Sequence, residues 1–418
     1  MKTFFKYLLT IALSAFATFF LINQYAPLLI SVPEKDMELI DFDFDQTVNQ
    51  KKIAPVSSKA KNIILLIGDG MGSNHIAAYR VTKGGPNFIT AFDRFSTSGL
   101  VKTHAVDSLV TDSAASATAY STGVKTKNRY IGTAPDGSSV PNITEILFER
   151  GYINSIIATS EITHATPASF AAHNTSRYNT DAIASDIFYS NNHIVLGGGR
   201  GFFIPETFGG LRKDNNNFVE RMVDNHIFLD SADDLENIPN SLDSKVFGLF
   251  AQEELGLVDS DPSLLEMFDY AYQLSNQTVQ NKNCKGFFIM AEGSQIDWRS
   301  HDNDFIGMIA QMDEFNEAVN AALDFAESRE DTLVLVTADH ETGGLLIEQD
   351  NKRYQASKNI KATWNTAVGR GGHTGAMVPI FAYGPGAENF SGILDNTDVF
   401  FAMSEAIGVS ELELSVCK

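Results

Sequence analysis

Cysteine is nearly absent from this chain of 418 residues: Cys284 and Cys417 are the only two. Two thiols so far apart match no metal-binding spacing, and they cannot build a disulfide-stapled fold, so a packed core must hold the chain together. Whether the two pair is left open by the sequence. Positive charge is also scarce, with 31 Lys and Arg against 52 Asp and Glu and a formal net charge of −21. No basic stripe is present, which argues against a nucleic-acid-binding scaffold, and the surplus acid reads as solvated surface. Internal repeats and long low-complexity tracts are missing, so the chain is neither a solenoid nor a linker array. What remains is an ordinary globular composition, 44% hydrophobic and 20% charged. Its length fits two or three domains, or one large α/β enzyme.

The N-terminus carries Lys2 and Lys6 ahead of an uncharged, mostly apolar run from Tyr7 to Pro33. Residues 1–33 therefore read as an export signal, with Ala15-Phe16-Ala17 as a cleavage site, or as a retained signal-anchor, because the apolar run is long enough to span a bilayer. Both readings place the rest of the chain outside the cytoplasm, in a periplasmic or extracytoplasmic location, free or anchored in the inner membrane. Residues 34–58 read as a solvated linker and 59–418 as the catalytic domain.

From Lys61 onward, strand-like and helix-like patterns alternate. Asn62 to Ile67 is a continuous apolar run closed by Gly68-Asp69-Gly70-Met71-Gly72, as expected of a strand buried on both faces. Ser73 is positioned to cap a helix through Tyr79. A helix over 142–150 and a strand over 153–158 follow, then a short strand over 194–196. Next come a helix over 262–273, a strand over 286–290, a long helix over 304–326, strands over 332–336 and 378–382, and a helix over 397–406. This alternation predicts an α/β fold with a mainly parallel central sheet and helices on both faces. Ligands in such sheets bind beyond the carboxyl ends of the strands, where Asp69, Glu292, Asp339 and His340 fall.

Several stretches carry chemistry. Val110-Thr111-Asp112-Ser113-Ala114-Ala115 puts a serine at the head of a small-residue helix, where backbone N–H groups and the helix dipole favour an anion. In Asp297-Trp298-Arg299-Ser300-His301 the acid and the imidazole are four apart, which places both on one helical face. His373 lies in Gly371-Gly372-His373-Thr374-Gly375. Mixed histidine and carboxylate ligands suit zinc, whereas oxygen ligands suit magnesium. Taken singly, Ser113 also reads as a helix cap, Arg177 as a surface ion-pair partner and Trp298 as packing. His75, His104, His173, His193 and His226 belong to no such group. Gly197 to Gly199 is not followed by Gly-Lys-Ser or Gly-Lys-Thr, which weakens any reading of it as a phosphate loop.

As a set and in this order, Gly68-Asp69-Gly70-Met71-Gly72, Asp112-Ser113-Ala114, Thr337-Ala338-Asp339-His340-Glu341 and Gly372-His373-Thr374-Gly375 resemble the alkaline phosphatase family. The resemblance covers roughly Lys61 to Gly408, the scale of one α/β domain. It implies a phosphomonoesterase that uses Ser113 as a nucleophile and passes through a phosphoserine. It implies a first zinc held by Asp297, His301 and His373, a second by Asp69, Asp339 and His340 beside Ser113, and a magnesium held by Asp69, Thr166 and Glu292. Arg177 in Asn174-Thr175-Ser176-Arg177 matches the arginine that clamps two phosphate oxygens. His164 and Trp298 stand where some members carry aspartate and lysine, and marine bacterial members look like this chain at both places. His164 is therefore expected beside the third site, outside its ligand set, biasing which metal binds. The partners implied are small phosphate monoesters and a second copy of the chain in a homodimer.

Two rivals are weighed against this. A phosphodiesterase or nucleotide pyrophosphatase of the same superfamily would generally lack the arginine clamp and the third-metal set, which Arg177, Thr166 and Glu292 supply here. A non-catalytic metal- or phosphate-binding protein would have lost a catalytic group, and all are present. No Cys-x-Pro-x-Arg or Ser-x-Pro-x-Arg marks a sulfatase nucleophile.

Overall fold

The computed structural model describes residues 51, 53, 54, 56, 58–256, 260–349, 359–367 and 371–417. The proposed signal or anchor segment and most of the linker lie outside these residues. Of the linker interval, the Lys51 N–H donates to Asp398 Oδ1 at 3.0 Å and the Ala54 N–H to Asn389 Oδ1 at 3.1 Å. Among the described residues, no helix is long and apolar enough to cross a membrane.

The strands are β1 (Asn62–Gly68), β2 (Thr97–Lys102), β3 (Tyr152–Glu161), β4 (Ile194–Gly198), β5 (Ile227–Leu229), β6 (Val246–Leu249), β7 (Gly286–Gly293), β8 (Thr332–Thr337), β9 (Glu341–Thr342), β10 (Leu345–Gln349), β11 (Ile360–Trp364), β12 (His373–Thr374), β13 (Val378–Tyr383) and β14 (Gly392–Asp395). Ten of them form one sheet in the order β14-β2-β13-β8-β1-β7-β3-β4-β6-β5. Only β13 runs against the rest, pairing antiparallel with both β2 and β8. The central strands β1, β7 and β8 are buried along their whole length, as their unbroken apolar runs require. Helices 73–84, 264–281 and 305–327 pack as one layer, and helices 113–122, 143–148, 165–168 and 396–407 as another. The expected mainly parallel α/β sheet with helices on both faces is the fold observed.

Register explains the site. Ile67 of β1 lies opposite Glu292 of β7 on one side and Thr337 of β8 on the other. The residues that follow these three strands therefore emerge together at one sheet edge.

Several boundaries differ from the sequence reading for local reasons. The helix expected from Ser73 to Tyr79 runs from Ser73 to Gly84, and Gly72 is its cap. The helix expected over 262–273 spans Leu264–Asn281, started by a reciprocal Ser263–Glu266 capping box. The interval before Cys284 supplies β5, β6 and a helix over Phe218–Asn225, which extend the sheet to its far edge. Between Glu341 and His373 the chain makes a small excursion: β10 pairs with β11, and β9 pairs back onto β12. Cys284 and Cys417 form a disulfide that ties the C-terminal tail to the start of β7.

Candidate active site

Each strand reaching this edge delivers a polar group. Asp69 follows β1, Glu292 closes β7, and Asp339-His340 follows β8. The Ser113–Thr122 helix brings the hydroxyl. Its alanines and serines are small enough to let it lie buried against the Asn396–Ile407 helix. The cap is Asp112, whose Oδ1 accepts the Ala115 N–H at 3.0 Å. Ser113 is thus the first helical residue rather than the cap. Its Oγ sits 3.1 Å from His340 Nε2, at the positive end of the helix.

His340 Nε2 is 3.2 Å from Asp339 Oδ2 and 3.5 Å from Asp69 Oδ1. Its other nitrogen is 3.1 Å from Thr342 Oγ1. Asp297 and His301, on the Gln295–His301 helix, do share a face: His301 Nε2 is 3.3 Å from Asp297 Oδ2. His373 Nε2 is 3.2 Å from His301 Nε2 and 3.7 Å from Asp297 Oδ1. The Nδ1 atoms of His301 and His373 donate to the carbonyls of Gly371 and Thr111, which leaves the two Nε2 atoms as the candidate ligand atoms.

Candidate ligand atoms of Asp69, Asp339 and His340 all lie within 4.8 Å of one another, as do those of Asp297, His340 and His373, and those of Asp69, His164 and Glu292. Both carboxylate oxygens of Asp69, Oδ2 of Asp339, Oε1 of Glu292, Oγ1 of Thr166 and Nδ1 of His164 are buried without a hydrogen-bond partner. Buried carboxylates packed this closely repel one another and cost free energy unless cations neutralise them. The donor set therefore fits metal ions. In the metal-free protein the same crowding shifts the protons. Burial, then the charge of Asp339, raises the Asp69 carboxyl well above its usual range, and burial pushes Glu292 up to about 7. Burial also raises Asp297, but the His301 hydrogen bond and the neighbouring imidazoles outweigh it and hold this acid low.

Ser113, Glu161, His164, Arg177, Trp298 and His373 are among the residues lining a cavity of about 340 Å³. Arg177 Nη1 donates to Asp112 Oδ2 at 3.2 Å and Nη2 to His164 Nε2 at 2.8 Å. Because the guanidinium can only donate, His164 Nε2 accepts and the proton sits on Nδ1. Trp298 meets the His164 ring edge-on, with centroids 5.8 Å apart.

A family model described as alkaline phosphatase matches residues 60–369 and 347–409. The chain is 35% identical over 429 residues to alkaline phosphatase 3 of Bacillus subtilis (strain 168), covering 84% of this chain and 89% of that protein. The chain belongs to the alkaline phosphatase family. It shares 34% identity, with a TM-score of 0.71, with the alkaline phosphatase of the Antarctic bacterium TAB5, over 84% of this chain and 99% of that one. A histidine-to-glutamate variant of the TAB5 alkaline phosphatase has Mg bound in the site called M3; its TM-score is 0.72 at the same identity and coverage.

Family and activity class thus agree with the sequence reading: this is a metal-dependent phosphomonoesterase of the alkaline phosphatase family. The geometry adds residues that the sequence did not single out. Thr342 Oγ1 donates to Asp297 Oδ1, and Ser294 Oγ donates to Glu292 Oε2 at 2.6 Å. Both hydroxyls orient carboxylates, and their only sequence signal is closeness to a motif residue. Glu161 lines the cavity and burial pushes it up to about 7, yet in sequence it is one acid among 52 Asp and Glu.

Proposed function

We propose that Ser113 Oγ attacks the phosphorus of a monoester in line with the departing oxygen, forming a phosphoserine and releasing the alcohol. Water then attacks the phosphoserine, restores Ser113 and frees inorganic phosphate. The observation that carries this reading is the meeting at His340 Nε2 of the buried Ser113 hydroxyl, at 3.1 Å, with Asp339 Oδ2 and Asp69 Oδ1, two carboxylate oxygens without a hydrogen-bond partner. Zinc held by Asp297, His301 and His373, zinc held by Asp69, Asp339 and His340, and magnesium held by Asp69, Thr166 and Glu292 would neutralise phosphate charge and make the attacking hydroxyl and water more acidic. Arg177 forks onto two phosphate oxygens, with Asp112 fixing its plane.

In this reading His164 stays beside the third site and outside its ligand set, because with Nε2 accepting from Arg177 its Nδ1 carries the proton and offers no lone pair. It biases that site away from magnesium, a role supported by the Mg bound in the TAB5 variant. His164→Asp is expected to lower the magnesium concentration giving half-maximal activity. An unchanged magnesium titration removes His164 from this role. Export to an oxidising compartment is supported by the Cys284–Cys417 disulfide. The homodimer and the membrane anchor rest on the family resemblance and on the N-terminal run respectively.

The experiment that tests the reaction class compares p-nitrophenyl phosphate with bis(p-nitrophenyl) phosphate on the zinc- and magnesium-loaded protein. The monoester is expected to have the higher kcat/KM. Faster cleavage of the diester assigns the site to phosphodiester chemistry instead, and phosphate binding without turnover of either assigns it to a binding protein.

A further inference from the structure

One residue at the rim has no task in that reaction. Arg129 adopts φ +73°, a left-handed conformation that a bulky side chain rarely occupies. Its backbone holds the phosphate clamp together. The Arg129 N–H donates to Asp112 Oδ2 at 3.0 Å, and its carbonyl accepts the Arg177 N–H at 2.8 Å. Asn128 adds to this by accepting the Asp112 N–H at 3.0 Å. These bonds are made from a left-handed backbone, which glycine would adopt with less strain. The arginine side chain is therefore kept at a conformational cost, and strain kept at the edge of a reactive site points toward a use.

That side chain is exposed and, among the described residues, makes no ion pair. Its guanidinium lies over the Tyr178 ring, 5.7 Å from Cζ to the centroid. Tyr178 is itself 70% exposed and lines the same cavity as Ser113 and Arg177. Stacking on a ring the chain leaves in water pre-orients the fork and lowers the entropy lost on binding. In a chain of net charge −21, an unpaired cation next to Arg177 is a local exception that would draw anions to this rim.

We propose that Arg129, steadied by Tyr178, is a specificity-determining residue that binds a second anionic group on the leaving alcohol of a phosphate monoester. This rests on the reading of Ser113 as the phosphomonoesterase centre. The favoured substrates are monoesters whose alcohol carries a further carboxylate or phosphate.

The test measures kcat and KM of the metal-loaded wild type, Arg129→Gly and Arg129→Gln on phenyl phosphate, 4-carboxyphenyl phosphate and 1,4-phenylene bisphosphate. Arg129→Gly keeps the left-handed backbone without strain, and Arg129→Gln keeps the length without the charge. In both variants the kcat/KM on each doubly anionic ester, taken relative to that on phenyl phosphate, is expected to fall about threefold to tenfold, mainly through KM. The loss shrinks at high salt. A loss on only one of the two charged esters identifies carboxylate or phosphate as the group bound. An equal loss on all three esters overturns the proposal, because Arg129 would then serve only to hold Asp112 and Arg177. No loss on either charged ester also overturns it. Wild-type failure to hydrolyse phenyl phosphate overturns the Ser113 reading first and this proposal with it.

Discussion

Ser113→Ala is expected to lower kcat for p-nitrophenyl phosphate by on the order of 10⁴-fold or more while leaving the fold intact. The fold survives because Asp112, not Ser113, caps the helix, and because alanine is the strongest helix former at the position it would take. Ser113 is 2% exposed, and the substitution removes one small polar atom rather than a packing element. What disappears is the atom that forms the bond to phosphorus. Any residual turnover would come from bound cations and Arg177, which still position the phosphate for direct attack by water. The check is kcat together with circular dichroism, plus acid quenching of the enzyme with radiolabelled phosphate. Wild-type protein retains label as phosphoserine and the variant does not. A variant within tenfold of wild type, or one that still takes up label, removes Ser113 from the nucleophile's role.

The residues that could be read in advance share one property: their position is fixed by short-range periodicity. Asp69 and Asp339 follow long apolar runs, so their place at the carboxyl ends of strands was legible, and parallel register then aligned them. Asp297 and His301 are four apart on one helix, so their shared face was legible too. Long-range pairing was not. Nothing local marks β13 as the strand that runs against its neighbours, and β5, β6 and β14 are three or four residues long, too short to show a period. His340 contributes to two of the ligand groups, a sharing that only the packed structure reveals. Arg129 left no signal, since a left-handed backbone at a non-glycine residue is imposed by its partners Asp112 and Arg177. The pairing of Cys284 with Cys417 likewise depends on where the tail returns to the sheet.

Chelation is expected to abolish p-nitrophenyl phosphate hydrolysis, and zinc with magnesium to restore it. It should also leave a protein whose stability depends on pH in a way the metal-loaded form does not. In the metal-free protein burial raises Glu292 from its ordinary value of 4.5 to about 7, and the Asp297 hydrogen bond raises His301 from 6.5 to about 9. Both folded values exceed the unfolded ones. The stability each group adds is therefore complete below its unfolded value and is lost as pH rises through its folded value. For Glu292 that loss is over by about pH 7, whereas for His301 it runs from 6.5 to about 9. Burial raises Asp69 and Asp339 as well, which adds to the same trend. His75 and His164, lowered by burial to about 4 and about 3, act in the opposite sense but lose their contribution only as pH falls below 6.5. Lys125, lowered by burial to about 8, gains stability as pH rises from there toward 10.5, but it pairs with Asp395 rather than with a candidate ligand and acts alike in both forms. Cations held by these residues would keep the carboxylates ionised and the imidazoles neutral throughout. The gap between the Tm of the loaded and the chelated protein is therefore expected to widen from pH 6.5 to pH 9, by about 5 °C. Calorimetry of both forms across that range is the measurement. A gap that stays constant with pH would mean that the restoring metals bind somewhere other than among Asp69, Glu292, Asp297, His301 and Asp339.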